Sequence, residues 1–476
     1  MNMSEDRIKE IVREVLKGVD RERPVSYAPT LSGSQAGSDG VFATMDEAVN
    51  AAHGAFLQLK KFGVEDRAKF VSAIRRTGLE RKEELSRMVF EETKMGRYAH
   101  KVQKHVFAAQ DTPGTEDLET RSWSGKNGLC VEEYAPFGVI GAVTPSTHPS
   151  ETVISNLIMM VAGGNSVVFS PHPTAKKVSA HVVRVLNRAL VSEGAPANLA
   201  VCVAEPTIQT AEEMFHHPKV AILSITGGPG VVQAAMRSNK KVVAAGPGNP
   251  PVVVDESADL KLAAEMITKS AAFDNNVLCF AEKEIFVAAK VFDRFMDEMK
   301  KAGNVRLDPD QIERLAGKAF EKKKHLHVLN RELAGRNANV IAAAIGLRIG
   351  EDVPLLFGET SNDHIFVQEE QLMPFLPVIR CRDCGEAVER ALIAEHGYGH
   401  SAGIYTADMK AATAFARRAN TSIFVINGGH HQGDGGPEGE GTLSFTIATP
   451  TGEAITRPRH FCRTRRIMIA GTMRFV

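Results

Sequence analysis

Apolar positions near the start of the chain fall at Ile8, Ile11, Val12, Val15, Leu16 and Val19, the i, i+3, i+4, i+7 recurrence of one helix face. Asp6, Lys9, Glu10, Arg13, Glu14 and Lys17 take the other face, and Ser4 suits the N-cap. This predicts an amphipathic helix over residues 1–20. Residues 21–40 carry no period and close on Ser32-Gly-Ser-Gln-Ala-Gly-Ser-Asp-Gly40, which reads as a flexible linker. A helix on a tether buries its stripe by folding back or by docking on a partner. Membrane-surface binding is disfavoured, because the stripe has no Trp or Phe and the polar face mixes charge signs. Helix-period alternation resumes over residues 42–110, and Thr112-Pro113-Gly114 interrupts it.

From Val139 the pattern changes to short continuous apolar runs separated by longer periodic segments. Strands are predicted at Val139–Val143, Ser166–Phe169, Leu199–Val203, Val220–Ile225 and Lys241–Ala245. Helices are predicted at Val153–Val161, Ala175–Glu193, Ile208–Phe215 and Pro229–Arg237, the last opening on a proline that fits the first helical turn. Strands alternating with helices at this spacing predict a doubly wound α/β fold with a mostly parallel sheet. Such sheets bind ligands beyond the carboxyl ends of their strands. The turns there are Thr144-Pro-Ser-Thr-His148, Ser170-Pro-His-Pro173 and Thr226-Gly-Gly-Pro-Gly230.

Composition narrows the function classes. The chain has 476 residues, enough for two or three domains, and is 43% apolar and 24% charged. Lys+Arg and Asp+Glu both number 57, so no basic excess points to nucleic acid. One Trp and five Tyr offer little stacking surface for single strands. No apolar run reaches bilayer length, and no secretory h-region is present, so a cytoplasmic protein is expected. Neither a strict GxGxxG nor a GxxxxGK[ST] loop occurs. The six cysteines, at 130, 202, 279, 381, 384 and 462, are too sparse for a disulfide scaffold. Cys130, Cys202 and Cys462 read as inert thiols on strand-like runs, and the lone Cys381-x-x-Cys384 lacks a second ligand pair for zinc. No metal site is expected. His396 and His400 flank glycines that oppose a helical metal pair, and His430-His431 reads as an exposed loop.

Cys279 ends Asp274-Asn275-Asn276-Val277-Leu278-Cys279, between a helical run at Leu260–Phe273 and a strand-like run at Glu284–Val287. A cysteine in a polar turn between two elements suits a nucleophile, although an inert thiol fits the same position. Neighbouring segments tip the balance. Asn275-Asn276-x-x-Cys279, Gly246-Pro247-Gly248-Asn249-Pro250-Pro251 and Thr144-Pro-Ser-Thr-x-Pro149 occur in order. Thr421-Ser-Ile-Phe-Val425, Gly439-Glu-Gly441 and Thr449-Pro-Thr-Gly-Glu453 follow. Together they resemble the coenzyme A-acylating aldehyde dehydrogenases, above all the acetaldehyde and propionaldehyde dehydrogenases of bacterial microcompartments, over nearly the whole chain.

The resemblance implies NAD-dependent oxidation of a short-chain aldehyde through a Cys279 thiohemiacetal and thioacyl-enzyme, with coenzyme A taking the acyl group. It implies that Thr144, Pro145 and Ser146 run beside the nicotinamide half, and that Ser170, His172 and Pro173 lie near the adenosine. Thr226, Gly227, Gly228 and Gly246 would approach the dinucleotide, and Glu370 would hold the nicotinamide ribose. Each has a plainer role open to it, as a turn-shaping residue or a surface charge. Hydrolytic relatives carry a glutamate base where this chain reads Ala244-Ala245-Gly246. Water needs that base far more than a thiol does, so acyl transfer is favoured over the alternatives, hydrolysis or an inactive microcompartment scaffold. Where the family usually has an oxyanion-binding Asn, this chain has His148. Its ring N–H could still donate, or it could point elsewhere, leaving the Cys279 amide alone.

The implied architecture is aldehyde dehydrogenase-like. A Rossmann-type cofactor domain spans 41–120 and 136–244, and an α/β catalytic domain spans 245–436. A β-hairpin oligomerisation element is expected at 121–135 and 437–476, with strands at Leu443–Thr449 and Arg465–Ala470, making a homodimer or homotetramer. The helix at 1–20 resembles an encapsulation peptide that docks on a microcompartment shell protein.

Overall fold

The computed structural model describes residues 38–323 and 326–473. The helix expected at 1–20 and nearly all of the linker lie outside the described residues. The last linker residues, Ser38–Gly40, are packed: Asn187 Nδ2 donates to the Asp39 carbonyl at 3.1 Å, and Arg188 Nε to the Asp39 carboxylate at 2.8 Å.

Four helices follow, at Met45–Leu59, Val64–Glu80, Lys82–Thr93 and Tyr98–Gln110. The first of them packs on a six-stranded sheet ordered Val41–Phe42, Ala200–Val203, Ser166–Pro171, Val139–Thr144, Val220–Thr226, Lys241–Ala245, and the other three pack on helices. Every pairing in it is parallel. Its central strands are buried on both faces, which is why they read as continuous apolar runs rather than alternating ones. Strand order reverses between Val139–Thr144 and Val220–Thr226, so the crevice beyond their carboxyl ends is the switch point. The helix after Val139–Thr144 runs Pro149–Ala162 and is buried over its whole length. It starts four residues before the expected Val153, because Pro149 occupies a first-turn position where its missing N–H costs nothing.

A second sheet of seven strands holds Val305–Arg306, Leu356–Glu359, Phe375–Cys381, Glu284–Ala288, Pro251–Val254, Ser401–Tyr405 and Ile423–Ile426, again all parallel. Only residues 246–250 separate the end of Lys241–Ala245 from the start of Pro251–Val254. The carboxyl edge of the first sheet therefore faces the amino edge of the second, and the site lies between them.

A third, antiparallel sheet joins Arg121–Gly125, Gly128–Pro136 and Cys462–Ala470. Leu443–Thr449, expected as one of its strands, is not in it. That segment is a loop with a two-residue strand, Ile447–Ala448, paired to Ala454–Ile455. Its apolar residues turn inward to the site instead. Trp123, Ile467, Met468 and Ile469 are 44–54% exposed on the third sheet.

Candidate active site

The helix Leu260–Ala272 ends in a tight turn, Phe273–Asn276. Asp274, Asn275 and Asn276 follow one another at φ 51°, 57° and 61°. Left-handed backbone costs an L-residue about 1–2 kcal/mol, and Asn and Asp tolerate it best. Three in succession persist because each side chain is tied down. Asp274 accepts from Lys101 Nζ at 2.7 Å, Lys104 Nζ at 2.6 Å and the Arg97 amide at 3.0 Å. Asn275 accepts from Arg97 Nε at 2.8 Å and donates to the Gly335 carbonyl at 2.9 Å and Asn337 Oδ1 at 2.7 Å. Asn276 donates to the Glu282 carbonyl at 3.0 Å. Lys283 Nζ, fully buried, donates to Asn276 O and Oδ1, both at 2.7 Å, and to Leu278 O at 3.1 Å. The polar turn read from sequence is thus a buried, cross-tied arch, and Cys279 stands at its end.

The same two lysines reach the His148 turn. Lys101 Nζ and Lys104 Nζ donate to the Thr147 carbonyl at 2.8 and 3.1 Å. Lys101, Lys104 and Asp274 are each at most 1% exposed. Burial opposes the charge on Asp274, but the two ammoniums outweigh it and hold the carboxyl far below its usual range. Burial draws the Lys101 ammonium down to about 8 against the pull of Asp274. One ion cluster therefore fixes the cysteine arch relative to the His148 turn.

His148 caps the helix Pro149–Ala162, its carbonyl accepting from the Thr152 amide at 3.1 Å and hydroxyl at 2.7 Å. Its Nδ1 lies 2.9 Å from Thr147 Oγ1, and its ring sits 5.6 Å from that of Phe445. Burial, aided by the Lys104 charge, depresses its pKa to about 3, so the imidazole is neutral at physiological pH. If Thr147 donates to Nδ1, the ring proton sits on Nε2, which has no partner among the described residues.

Cys279 and His148 line one cavity of about 670 Å³, with Phe107, Phe273, Phe280 and Phe445 as its apolar wall. Burial pushes the Cys279 thiol up to about 12, with the Glu370 and Asp434 carboxylates adding to the effect and Lys283 opposing it. In these surroundings Cys279 is held as the thiol, which ionises only when something near it supplies a base or positive charge.

Several of the residues expected to hold a dinucleotide meet at the carboxyl end of the first sheet. Thr144, Ser170 and Thr226 end three adjacent strands at the switch point, with Ser170 beside Val143 and Thr226 beside Ala245. Thr144 Oγ1 is buried with no protein partner, an orphan hydroxyl that a ligand there would satisfy. The His172 amide donates to the Thr144 carbonyl at 3.0 Å, joining two of the turns that carry Pro145, Ser146 and Pro173. Thr226 Oγ1 meets Thr446 Oγ1 at 3.1 Å, and the Gly227 amide donates to the Ala245 carbonyl at 3.3 Å. Gly228 caps Pro229–Met236. A Cβ at Gly246 would meet Pro450 at 2.9 Å. At Gly248 it would collide with the Cys279 carbonyl oxygen, so glycine there is what lets the crossing segment pass the arch. Glu370 feels Lys283, and burial raises its carboxyl.

Sequence reasoning missed Lys101, Lys104, Lys283, Thr147 and Asp434. The first two had a signal: Lys101, Lys104, His105 and Ala108 share one helix face, and all are buried. His430, expected exposed, is fully buried, its amide donating to Glu282 Oε1 at 2.8 Å and its Nδ1 lying 3.0 Å from the Phe280 carbonyl. The glycine-rich stretch wraps inward because His430–Gly433 forms a helical turn against Ile423–Ile426.

The sequence pattern of the aldehyde dehydrogenase family matches residues 36–439. An acetylating acetaldehyde dehydrogenase of Salmonella typhimurium is 42% identical over 478 residues, covering 100% of both chains. A propionaldehyde dehydrogenase from the fucose utilisation microcompartment of Clostridium phytofermentans superposes with TM-score 0.89 and 41% identity, over 92% of this chain and 100% of that one. A propionaldehyde dehydrogenase of Rhodopseudomonas palustris, solved with bound CoA and an acylated cysteine, gives TM-score 0.89 and 43% identity, over 91% and 99%.

Proposed function

The chain belongs to the aldehyde dehydrogenase family, and we propose that Cys279 is the nucleophile of its reaction and His148 an oxyanion donor. The enzyme oxidises a short-chain aldehyde, acetaldehyde or propionaldehyde, to acyl-CoA with NAD. The observation that carries the residue assignment is the cross-tied arch, which presents Cys279 to a cavity shared with His148.

Cys279 gives its proton to solvent and adds as the thiolate to the aldehyde carbon, and the carbonyl oxygen takes the developing negative charge. His148, neutral through burial, offers its Nε2–H to that oxygen, and the Cys279 amide offers a second donor. The clamp from Asp274 through Lys101 and Lys104 to Thr147 keeps both donors in register before substrate arrives. NAD, when bound, accepts the hydride that converts the thiohemiacetal to a thioester. Thr144, Pro145, Ser146, Thr226, Gly227, Gly228 and Gly246 would receive it, with Glu370 toward the ribose and Ser170, His172 and Pro173 toward the adenosine. The coenzyme A thiol then attacks the thioester, and its proton goes to the departing Cys279 thiolate, restoring the thiol. Residues 244–248 carry no carboxylate to activate water.

Assembly and location extend the same reading. The exposed Trp123, Ile467, Met468 and Ile469 support burial of the third sheet against a second copy, giving a homodimer or homotetramer. The resemblance of residues 1–20 to an encapsulation peptide supports docking on a shell protein inside a microcompartment. Among the described residues no helix is long and apolar enough to cross a membrane.

The test is NADH formation from propionaldehyde, with and without coenzyme A, for the native chain and Cys279→Ala. Coenzyme A-dependent turnover lost in the variant is expected. Equal oxidation without coenzyme A would replace acyl transfer by hydrolysis.

A further inference from the structure

The cavity is larger than its short substrate needs. Four heavy atoms at roughly 20–30 Å³ each fill about 100 Å³, against about 670 Å³ present. Its wall is aromatic except at a few points, and one of these is unusual. Asp434 lines the cavity and is 5% exposed, and its carboxyl has no hydrogen-bond partner among the described residues, with Oδ1 wholly enclosed. The cations around the cavity are committed elsewhere. Lys269 pairs with Glu438, Lys104 with Asp274, and Arg97 with Asn275. His431 Nε2 faces Glu438 at 3.1 Å.

A buried carboxyl left unpaired costs a few kcal/mol unless a ligand satisfies it. The carboxyl is also held in place. Asp434 closes the turn His430–Gly433, and Gly435 and Gly436 follow at φ 85° and 76°. A Cβ at Gly435 would meet the Thr442 carbonyl at 2.7 Å, so the backbone that carries the carboxyl is closely packed.

Taking the acyl-transfer reading above as given, we propose that Asp434 determines specificity by hydrogen-bonding a hydroxyl group on the carbon chain of the aldehyde, making small hydroxyaldehydes preferred substrates. Burial alone pushes the Asp434 carboxyl well above its usual range. A neutral carboxyl both donates and accepts, which matches a hydroxyl. An ammonium would require the ionised form that burial opposes. The ionised form would also resist a thiolate, since the Asp434 charge raises the Cys279 pKa. A hydroxyl partner lets Asp434 stay neutral while Cys279 ionises.

The experiment compares kcat/KM for propanal, 2-hydroxypropanal, 3-hydroxypropanal and 3-aminopropanal at saturating NAD and coenzyme A. Native enzyme, Asp434→Asn and Asp434→Leu are measured together. Native enzyme is expected to favour one hydroxyaldehyde over propanal by about tenfold or more. Asp434→Asn keeps most of that ratio, and Asp434→Leu abolishes or inverts it while still oxidising propanal. Coenzyme A-dependent oxidation of propanal by native enzyme is the control. Its presence with a ratio near one, or with a ratio unmoved in Asp434→Leu, overturns this inference alone. Its absence overturns the functional reading with it. A native preference for 3-aminopropanal that Asp434→Leu removes overturns the hydroxyl assignment in favour of a cation.

Discussion

Asp274 and Asp434 are both buried carboxyls close to Cys279, and the fold treats them in opposite ways. Asp274 has two ammoniums and a backbone N–H, and its pKa is driven far down. The Asp434 carboxyl has no partner among the described residues, and its pKa is driven well up by burial. The same residue type, equally out of water, is architecture where it is paired and a cavity-lining group where it is not. Behind the cysteine, charge fixes geometry. In front of it, burial keeps the unpaired carboxyl uncharged.

The sharpest way to break that contrast is to remove the paired member. Asp274→Ala leaves two buried lysines with only Glu151, 3.7 Å from Lys104 Nζ, to offset them, and frees the first residue of the left-handed arch. A loss of about 3–5 kcal/mol is expected in denaturant unfolding, together with coenzyme A-dependent turnover. Stability within about 0.5 kcal/mol of native would show that the cluster is not holding the arch. Next in size is the donor that the cluster positions. His148→Ala should lower kcat by roughly 10²–10³ with little change in KM, whereas His148→Asn should restore most of it. Steady-state kinetics decides, and an unchanged kcat in the Ala variant removes His148 from the mechanism.

Removing the unpaired member should have the opposite sign. Asp434→Leu is expected to stabilise the fold by about 1–2 kcal/mol at pH 7. The folded pKa of Asp434 is raised, so its native cost is absent below the unfolded carboxyl pKa of about 3.9 and grows as pH rises above it. The gap between variant and native stability should therefore be smallest near pH 3.5 and widen toward neutrality. Curves that stay together from pH 3.5 to 7 would mean that Asp434 is already satisfied.

Much of this frame was readable from residue order, because a doubly covered parallel sheet writes itself as unbroken apolar runs. Lys241–Ala245 matched to the residue, and Val139–Thr144 and Val220–Thr226 each exceeded the reading by one. Leu443, Phe445 and Ile447 alternate with polar residues as a strand would, yet line the cavity from a loop. Period-two spacing reports which side chains face inward, not what they pair with. The buried lysines were harder still. A helix-face lysine normally faces water, and only the long-range contact between Tyr98–Gln110 and the arch reverses that. Asp434 gave no signal at all, since an orphan is defined by the absence of neighbours.

The smallest test concerns one hydroxyl. If Thr147 Oγ1 donates to His148 Nδ1 at 2.9 Å, it selects the tautomer with the proton on Nε2, toward the reacting oxygen. Thr147→Val removes that selection and leaves the Thr147 carbonyl, where both lysines dock, in place. The neutral ring then divides between two tautomers, and one hydrogen bond worth about 0.5–1.5 kcal/mol is lost. A two- to tenfold fall in kcat is expected, with stability and KM nearly native. The fall should vanish in a His148→Asn background, where no tautomer exists to select. An equal fall in that background would place the role of Thr147 in the shape of the turn rather than in the proton on His148.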